Sequence, residues 1–186
     1  MSKKIVILTI LIFIFNLCTA PNLSDKLKEN HKKFAISEIK RWEWEKEFDR
    51  WKKDLGFKES SRDWTIYNEI GCIGTYQFQV ATLEFLGYSG ITFEKFKTNP
   101  EIFPAELQEE VLRALISYNE RALKQFEQYI GQTIRGVLIT QSGLLAAAHL
   151  GGIGGVKSFL INNKNPHDMF GTSVSDYLQK FQGYNI

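Results

Sequence analysis

Apolar residues recur every three or four positions through most of the chain. Phe34, Ile36, Ile39, Trp42, Phe48 and Trp51 keep that spacing in a stretch otherwise dense in charge. The spacing predicts one or two amphipathic helices between Pro21 and Glu59. A second stripe, Leu107, Val111, Leu115, Ala122, Phe126 and Ile130, predicts a long helix that Pro104 opens and Gly131 stops. A shorter helix over 78–85 is expected to end at Gly87, because glycine accepts the left-handed terminal conformation. Ser142 is placed to cap a short helix from Gly143 to His149, apolar enough to be buried on all sides. Gly151, Gly152, Gly154 and Gly155 are expected to break that helix into a tight loop, and a last helix is expected over 174–181. No strand alternation is strong and no internal repeat stands out. The fold class expected is mainly α: a charged, tryptophan-containing helical segment at 21–55 packed on a domain at 56–186.

The first twenty residues have a different character. Lys3 and Lys4 precede an apolar run from Ile5 to Leu17, and Cys18-Thr19-Ala20 offers a small-residue end. This is the layout of an export signal, and the run is shorter than the roughly 20 residues a spanning helix needs. The expectation is export to the periplasm or the exterior, with a lipid anchor at Cys18 or an uncleaved N-terminal anchor as the alternatives.

Composition narrows the chemistry. The 186 residues carry 44% apolar and 13% aromatic side chains, which suits one domain with a real core. The 23 basic residues less Lys3 and Lys4 equal the 21 acidic ones, so the exported chain is formally neutral. A nucleic-acid partner held by phosphate neutralisation is therefore not expected. Of the two cysteines only Cys72 lies beyond the export segment, which leaves no intramolecular disulfide. A lone thiol of this kind is read first as a buried apolar residue. His31, His149 and His167 have no paired spacing, so no metal site is expected. The glycines at 151–155 lack the Gly-Lys-Ser/Thr of a phosphate loop, and Ser142 lacks a G-x-S-x-G elbow. No cofactor is expected. Carboxylate chemistry remains.

Glu59 leads the carboxylates, and Glu69, just before Gly71, is the rival. Glu59-Ser60 is followed by Gly71, Gly74 and Gln77 at offsets of 12, 15 and 18 residues. Here the sequence resembles the superfamily of goose-type lysozymes and soluble lytic transglycosylases. Gly74-Thr75-Tyr76-Gln77-Phe78 is similar to the Gly-x-Tyr-Gln-Phe form of its phage-type and secreted branch. Residues 147–156 lie ungapped over the family's Ala-Ala-Tyr-Asn-Ala-Gly-Pro-Gly-Ala-Val, and Tyr177-Leu178-Gln179-Lys180 over its Tyr-Val-x-Lys. The three blocks occur in the family's order and span most of the chain after the export segment. His149-Leu150 departs from the family's Tyr-Asn, whose asparagine helps hold the sugar's N-acetyl region.

The resemblance implies a lysozyme-like helical domain that cleaves the β-1,4 bond between N-acetylmuramic acid and N-acetylglucosamine in peptidoglycan. It implies Glu59 as the single catalytic carboxylate, acid first and base afterwards, with lytic transglycosylation ahead of hydrolysis. Ser60 is implied as support for the glutamate, Tyr76, Gln77 and His149 as groove residues, and Tyr177 as a contact to Glu59. Asp63 is the nearest candidate to position a hydrolytic water. Proton delivery to a glycosidic oxygen favours an acid in apolar surroundings, for which Phe57, Trp64 and Tyr76 are the expected walls. Two alternatives stay open: a chitinase-like hydrolase, and a non-catalytic cell-wall or chitin-binding module on a lysozyme scaffold. The expected partners are glycan strands, with an inhibitor or immunity protein on the tryptophan-rich helix as a further alternative; a monomer is expected.

Overall fold

The computed structural model describes residues 25–186 together with Ile12, so the export segment otherwise lies outside the described residues. The described chain is mainly helical. It divides into two units, one ending at Phe48 and one running over Asp49–Ile186. The segment read as one or two helices is a single helix, α1 (Asp25–Ser60). In the first unit, Trp44 stacks on Phe48 with ring centroids 4.9 Å apart, and Lys46 lies over the Trp42 ring.

The second unit follows α1's last turns with a hairpin of β1 (Cys72–Ile73) and β2 (Phe78–Gln79), then α2 (Val80–Phe85) and α3 (Phe93–Thr98). Next come α4 (Ala105–Leu123) and a 3₁₀ turn over Lys124–Tyr129. A second hairpin, β3 (Thr133–Ile134) with β4 (Val137–Leu138), leads into α5 (Gln141–Leu160) and α6 (Val174–Lys180). Both hairpins are too short for alternation to register in the sequence.

Helix ends largely follow the expected signals. Gly87 and Gly131 take the left-handed conformation, and Pro104 precedes the first turn of α4. Ser173 and Asp176 form a reciprocal capping box on α6. Two expectations are corrected in α5. Its cap is Thr140, whose Oγ1 accepts from Gly143 N at 3.1 Å, while Ser142 is buried in the first turn. The glycine run is a kink rather than a loop: Gly152 alone departs from helical geometry (φ 64°, ψ 179°), and helix resumes to Leu160. Only glycine takes such a conformation cheaply.

The core gathers Trp51 and Leu55 of α1, Phe78, Leu83, Phe96, Phe103, Val111, Leu112 and the apolar face of α5. Trp51 Nε1 donates to the Ser142 carbonyl at 3.3 Å, and its ring meets Phe181 edge-on. These contacts bring the end of α1 against α5 and the end of α6.

One buried amide ties the first hairpin to α4. Gln108 has no solvent exposure; its Nε2 donates to the Trp64 and Phe103 carbonyls at 2.8 and 2.7 Å, and its Oε1 accepts from Thr75 N at 2.7 Å. A Cβ on Gly74 would lie 2.5 Å from Gln108 Oε1, so glycine is required there. Replacing Gln108 with Leu keeps the volume and strands three main-chain groups, one buried and two part-buried. Urea unfolding of Gln108→Leu is expected to show a loss of about 4 kcal/mol; an unchanged midpoint would refute the clamp.

Candidate active site

Glu59 sits in the last turn of α1, which closes on left-handed Ser61 with Arg62 N bonded to the Gly56 carbonyl and Ser61 N to that of Phe57. That closure satisfies the terminal carbonyls and turns the chain away, leaving the Glu59 carboxylate at the edge of a groove of about 830 Å³. The groove is walled by α2 and α4 through Phe85, Leu115, Tyr118 and Asn119, and by the hairpin through Gln77 and Phe78. The α5 kink contributes His149 to Ile153, and α6 contributes Tyr177.

Two side chains approach the carboxylate. The Tyr177 hydroxyl donates a short hydrogen bond to Glu59 Oε1. Burial, then the negative charge of Glu59 and this hydrogen bond, push the Tyr177 phenol far above its ordinary value. Tyr177 therefore acts as a neutral donor. His149 Nε2 lies 4.0 Å from the same oxygen but 2.8 Å from the Tyr76 carbonyl, a group that can only accept. The Nε2 N–H therefore donates to that carbonyl. Phe78 meets the imidazole edge-on, with centroids 5.9 Å apart.

Two loops of the same construction line the groove. In 67–73, Asn68 Oδ1 accepts from Ile70 N and Cys72 N at 3.1 and 2.9 Å, and Asn68 N bonds the Cys72 carbonyl at 3.0 Å. In 167–173, Asp168 Oδ1 accepts from Phe170 N and Thr172 N at 2.9 and 2.8 Å, and Asp168 N bonds the Thr172 carbonyl at 2.9 Å. Gly71 and Gly171 have φ of 84° and 83°, and each loop is closed by an antiparallel bridge. This structural repeat goes unnoticed in the sequence, where the shared signal is only an Asx residue three before a glycine. It places a second carboxylate, Asp168, in the groove.

The other residues singled out from sequence are placed as follows. Gln77 lines the groove, left-handed at φ 49°, with Nε2 bonded to the Gly74 carbonyl at 2.9 Å. Ser60 is buried and bonds the Gly56 and Thr75 carbonyls rather than the glutamate, so its support for Glu59 is indirect. The Tyr76 ring is buried outside the groove with its hydroxyl on Glu109 at 2.6 Å; it is the Tyr76 carbonyl that serves the site, through His149. Asp63 is exposed, does not line the groove, and accepts from Thr65 N and Oγ1, which hold its carboxyl below the usual range. Glu69 is exposed in its loop. Phe57 is 65% exposed, and neither it nor Trp64 walls the groove.

Cys72 lines the groove, but burial pushes its thiol up, and the charges of Glu59 and Asp168 push the same way against a hydrogen bond with Asn68. It is poorly suited to be a nucleophile. Among the described residues no group of three His, Cys, Asp or Glu side chains could hold a metal. Comparison with known protein families, with curated proteins and with solved structures returns no match.

Tyr76 and Tyr177 both have phenols held far above their ordinary value, Tyr76 through burial and then Glu109. Above pH about 10 the unfolded chain releases these protons while the native one keeps them, so stability falls as pH rises. The expected loss is about 1.4 kcal/mol per pH unit for each tyrosine. In an absorbance titration these two of the seven tyrosines should ionise only on unfolding, and Tyr177→Phe should halve the alkaline slope they cause.

Proposed function

We propose that this chain is a peptidoglycan-cleaving enzyme that acts on the β-1,4 bond between N-acetylmuramic acid and N-acetylglucosamine, with Glu59 as the catalytic group. The observation that carries the reading is the Glu59 carboxyl at the groove, one oxygen held by a neutral tyrosine from the last helix. The motif resemblance supplies the substrate class. Glu59 in its protonated form gives its proton to the bridging oxygen as the bond to the anomeric carbon breaks. The resulting carboxylate then takes the proton of the muramyl 6-hydroxyl, whose oxygen closes on the anomeric carbon as a 1,6-anhydro ring. The Tyr177 hydroxyl fixes the carboxyl's orientation and stabilises its anionic stage between the two transfers.

Asp168 favours hydrolysis as the second reading. A second carboxylate on the same groove can hold a water for attack on the anomeric carbon, the role for which Asp63 is too far into solvent. Export to a cell-wall compartment accords with either reading.

Muropeptide mass spectrometry separates them. Anhydro products that persist in Asp168→Asn are expected for transglycosylation; non-anhydro products that disappear in Asp168→Asn would establish hydrolysis instead. Glu59→Gln is expected to reduce cleavage about a thousandfold, and Tyr177→Phe about tenfold. A wild type that binds glycan strands and never cleaves them would make the chain a binding module.

A further inference from the structure

Charge is unevenly placed around the groove. Its lining residues include two acids, Glu59 and Asp168, and one cation, Lys58. Lys58 immediately precedes Glu59 on α1 and is exposed. Its charge reaches Asp176 in the first turn of α6, whose carboxyl is held below the usual range by its bonds to Ser173 and further by Lys58. Those bonds, from Ser173 N at 2.8 Å and Ser173 Oγ at 2.7 Å, engage the Asp176 carboxylate in the capping box. Among the described residues no ion pair or hydrogen bond takes up the Lys58 ammonium.

The 167–173 loop leads directly into α6 and brings apolar surface to this edge. Met169 and Phe170 are 76% and 67% exposed, and Phe170 lines the groove. The loop is braced from within: Asp168 Oδ1 accepts from Phe170 N and Thr172 N at 2.9 and 2.8 Å, and a bridge between His167 and Ser173 closes it. Two adjacent large apolar side chains held in water by a braced loop, near an unpaired cation, suit a recognition surface.

A ligand that fits this edge combines a carboxylate with aliphatic groups, close to a sugar. A bare chain of N-acetylglucosamine has neither charge nor side branch. In peptidoglycan the muramyl lactyl group carries a short peptide, with free carboxylates and small aliphatic side chains. Residues 21–186 are formally neutral, so no long-range attraction gathers such an anion and the counter-charge must be local. Glu59 and Asp168 repel a carboxylate from the rest of the groove, which leaves the Lys58 edge for it. We propose that Lys58 and Phe170 form a peptide-reading edge of the groove, with Lys58 pairing to a carboxylate of the stem peptide and Phe170, with Met169, packing on its aliphatic part. The inference rests on the glycan-cleaving reading and adds to it a preference for peptide-bearing strands over bare glycan.

The test uses Glu59→Gln protein, so that nothing is cleaved, and isothermal titration with three ligands of equal sugar count. These are peptide-bearing glycan strands, strands freed of peptide by an amidase, and chito-oligosaccharides. Peptide-bearing strands are expected to bind about tenfold more tightly than the other two, by a ratio that shrinks as salt is added. Lys58→Gln in that background should lower the ratio about threefold and abolish its salt dependence, and Lys58→Arg should retain both. Phe170→Ala should lower it about threefold at every salt concentration. A ratio untouched by Lys58→Gln, or a loss shared equally by all three ligands, overturns the edge. Amidase-treated strands that bind as tightly as peptide-bearing ones would assign the carboxylate to the lactyl group and overturn the peptide reading. Equal affinity for all three ligands in an enzyme whose wild type still cleaves peptidoglycan overturns the edge alone. Absence of binding to any of them overturns the edge and the glycan-cleaving reading with it.

Discussion

The buried amide of Gln108 is the constraint on which the groove depends. It holds main-chain groups from three separate stretches, at Trp64, Thr75 and Phe103, and losing any of these partners would leave part of the buried Gln108 amide unsatisfied. The demand propagates outward. With Thr75 fixed, Gly74 must lack a side chain, Tyr76 must present its carbonyl toward His149, and Gln77 must take its left-handed turn into the groove. The next residue on α4, Glu109, takes the Tyr76 hydroxyl and pairs with Lys52 of α1. The helix that carries Glu59 and the hairpin that faces it are thereby referenced to the same turn of α4.

That dependence explains which parts of the site could be read from sequence. Gly71, Gly74 and Gln77 were legible because backbone geometry at those positions limits the residue, and such limits leave a fixed spacing. The walls were not legible. Phe57 lies two residues before Glu59 on a helix, about 200° around its axis, and so cannot share its face. The walls come instead from Phe85, Leu115 and Tyr118, which are distant in sequence and periodic in ways that a core helix would also be. The stripe Leu107, Val111, Leu115 predicted α4 correctly; the same stripe could not say that Tyr118 and Asn119 would face a groove. Asp168 escaped notice for another reason. Its loop is specified by side-chain-to-backbone bonds, which leave no hydrophobic pattern.

The α5 glycines show the reverse error. Four glycines within five residues read as a loop because each weakens a helix on its own. Here Gly151 and Gly155 lie against Val174 Cγ2, so the missing side chains let α5 approach α6 and packing offsets the propensity cost. Only Gly152 bends the chain. The bend keeps the backbone beside the groove while the flanking helix remains anchored in the core, so Tyr177 and His149 reach one carboxylate from two packed helices.

The distribution of satisfied and unsatisfied groups has a direction. Gln108, Ser60, Ser142 and Ser173 are buried and carry hydrogen bonds, and Tyr76 and Tyr177 are buried with their hydroxyls on carboxylates. The orphaned atoms, by contrast, belong to residues on the groove. Among the described residues these two atoms are the exceptions, and apolar residues of the same shape would remove the cost at no loss of core volume. Their cost in stability falls on two groove residues, which is the usual relation between a stable scaffold and a preorganised site. The Glu59–Tyr177 pair on the same groove is satisfied, so the carboxyl is oriented before any ligand arrives.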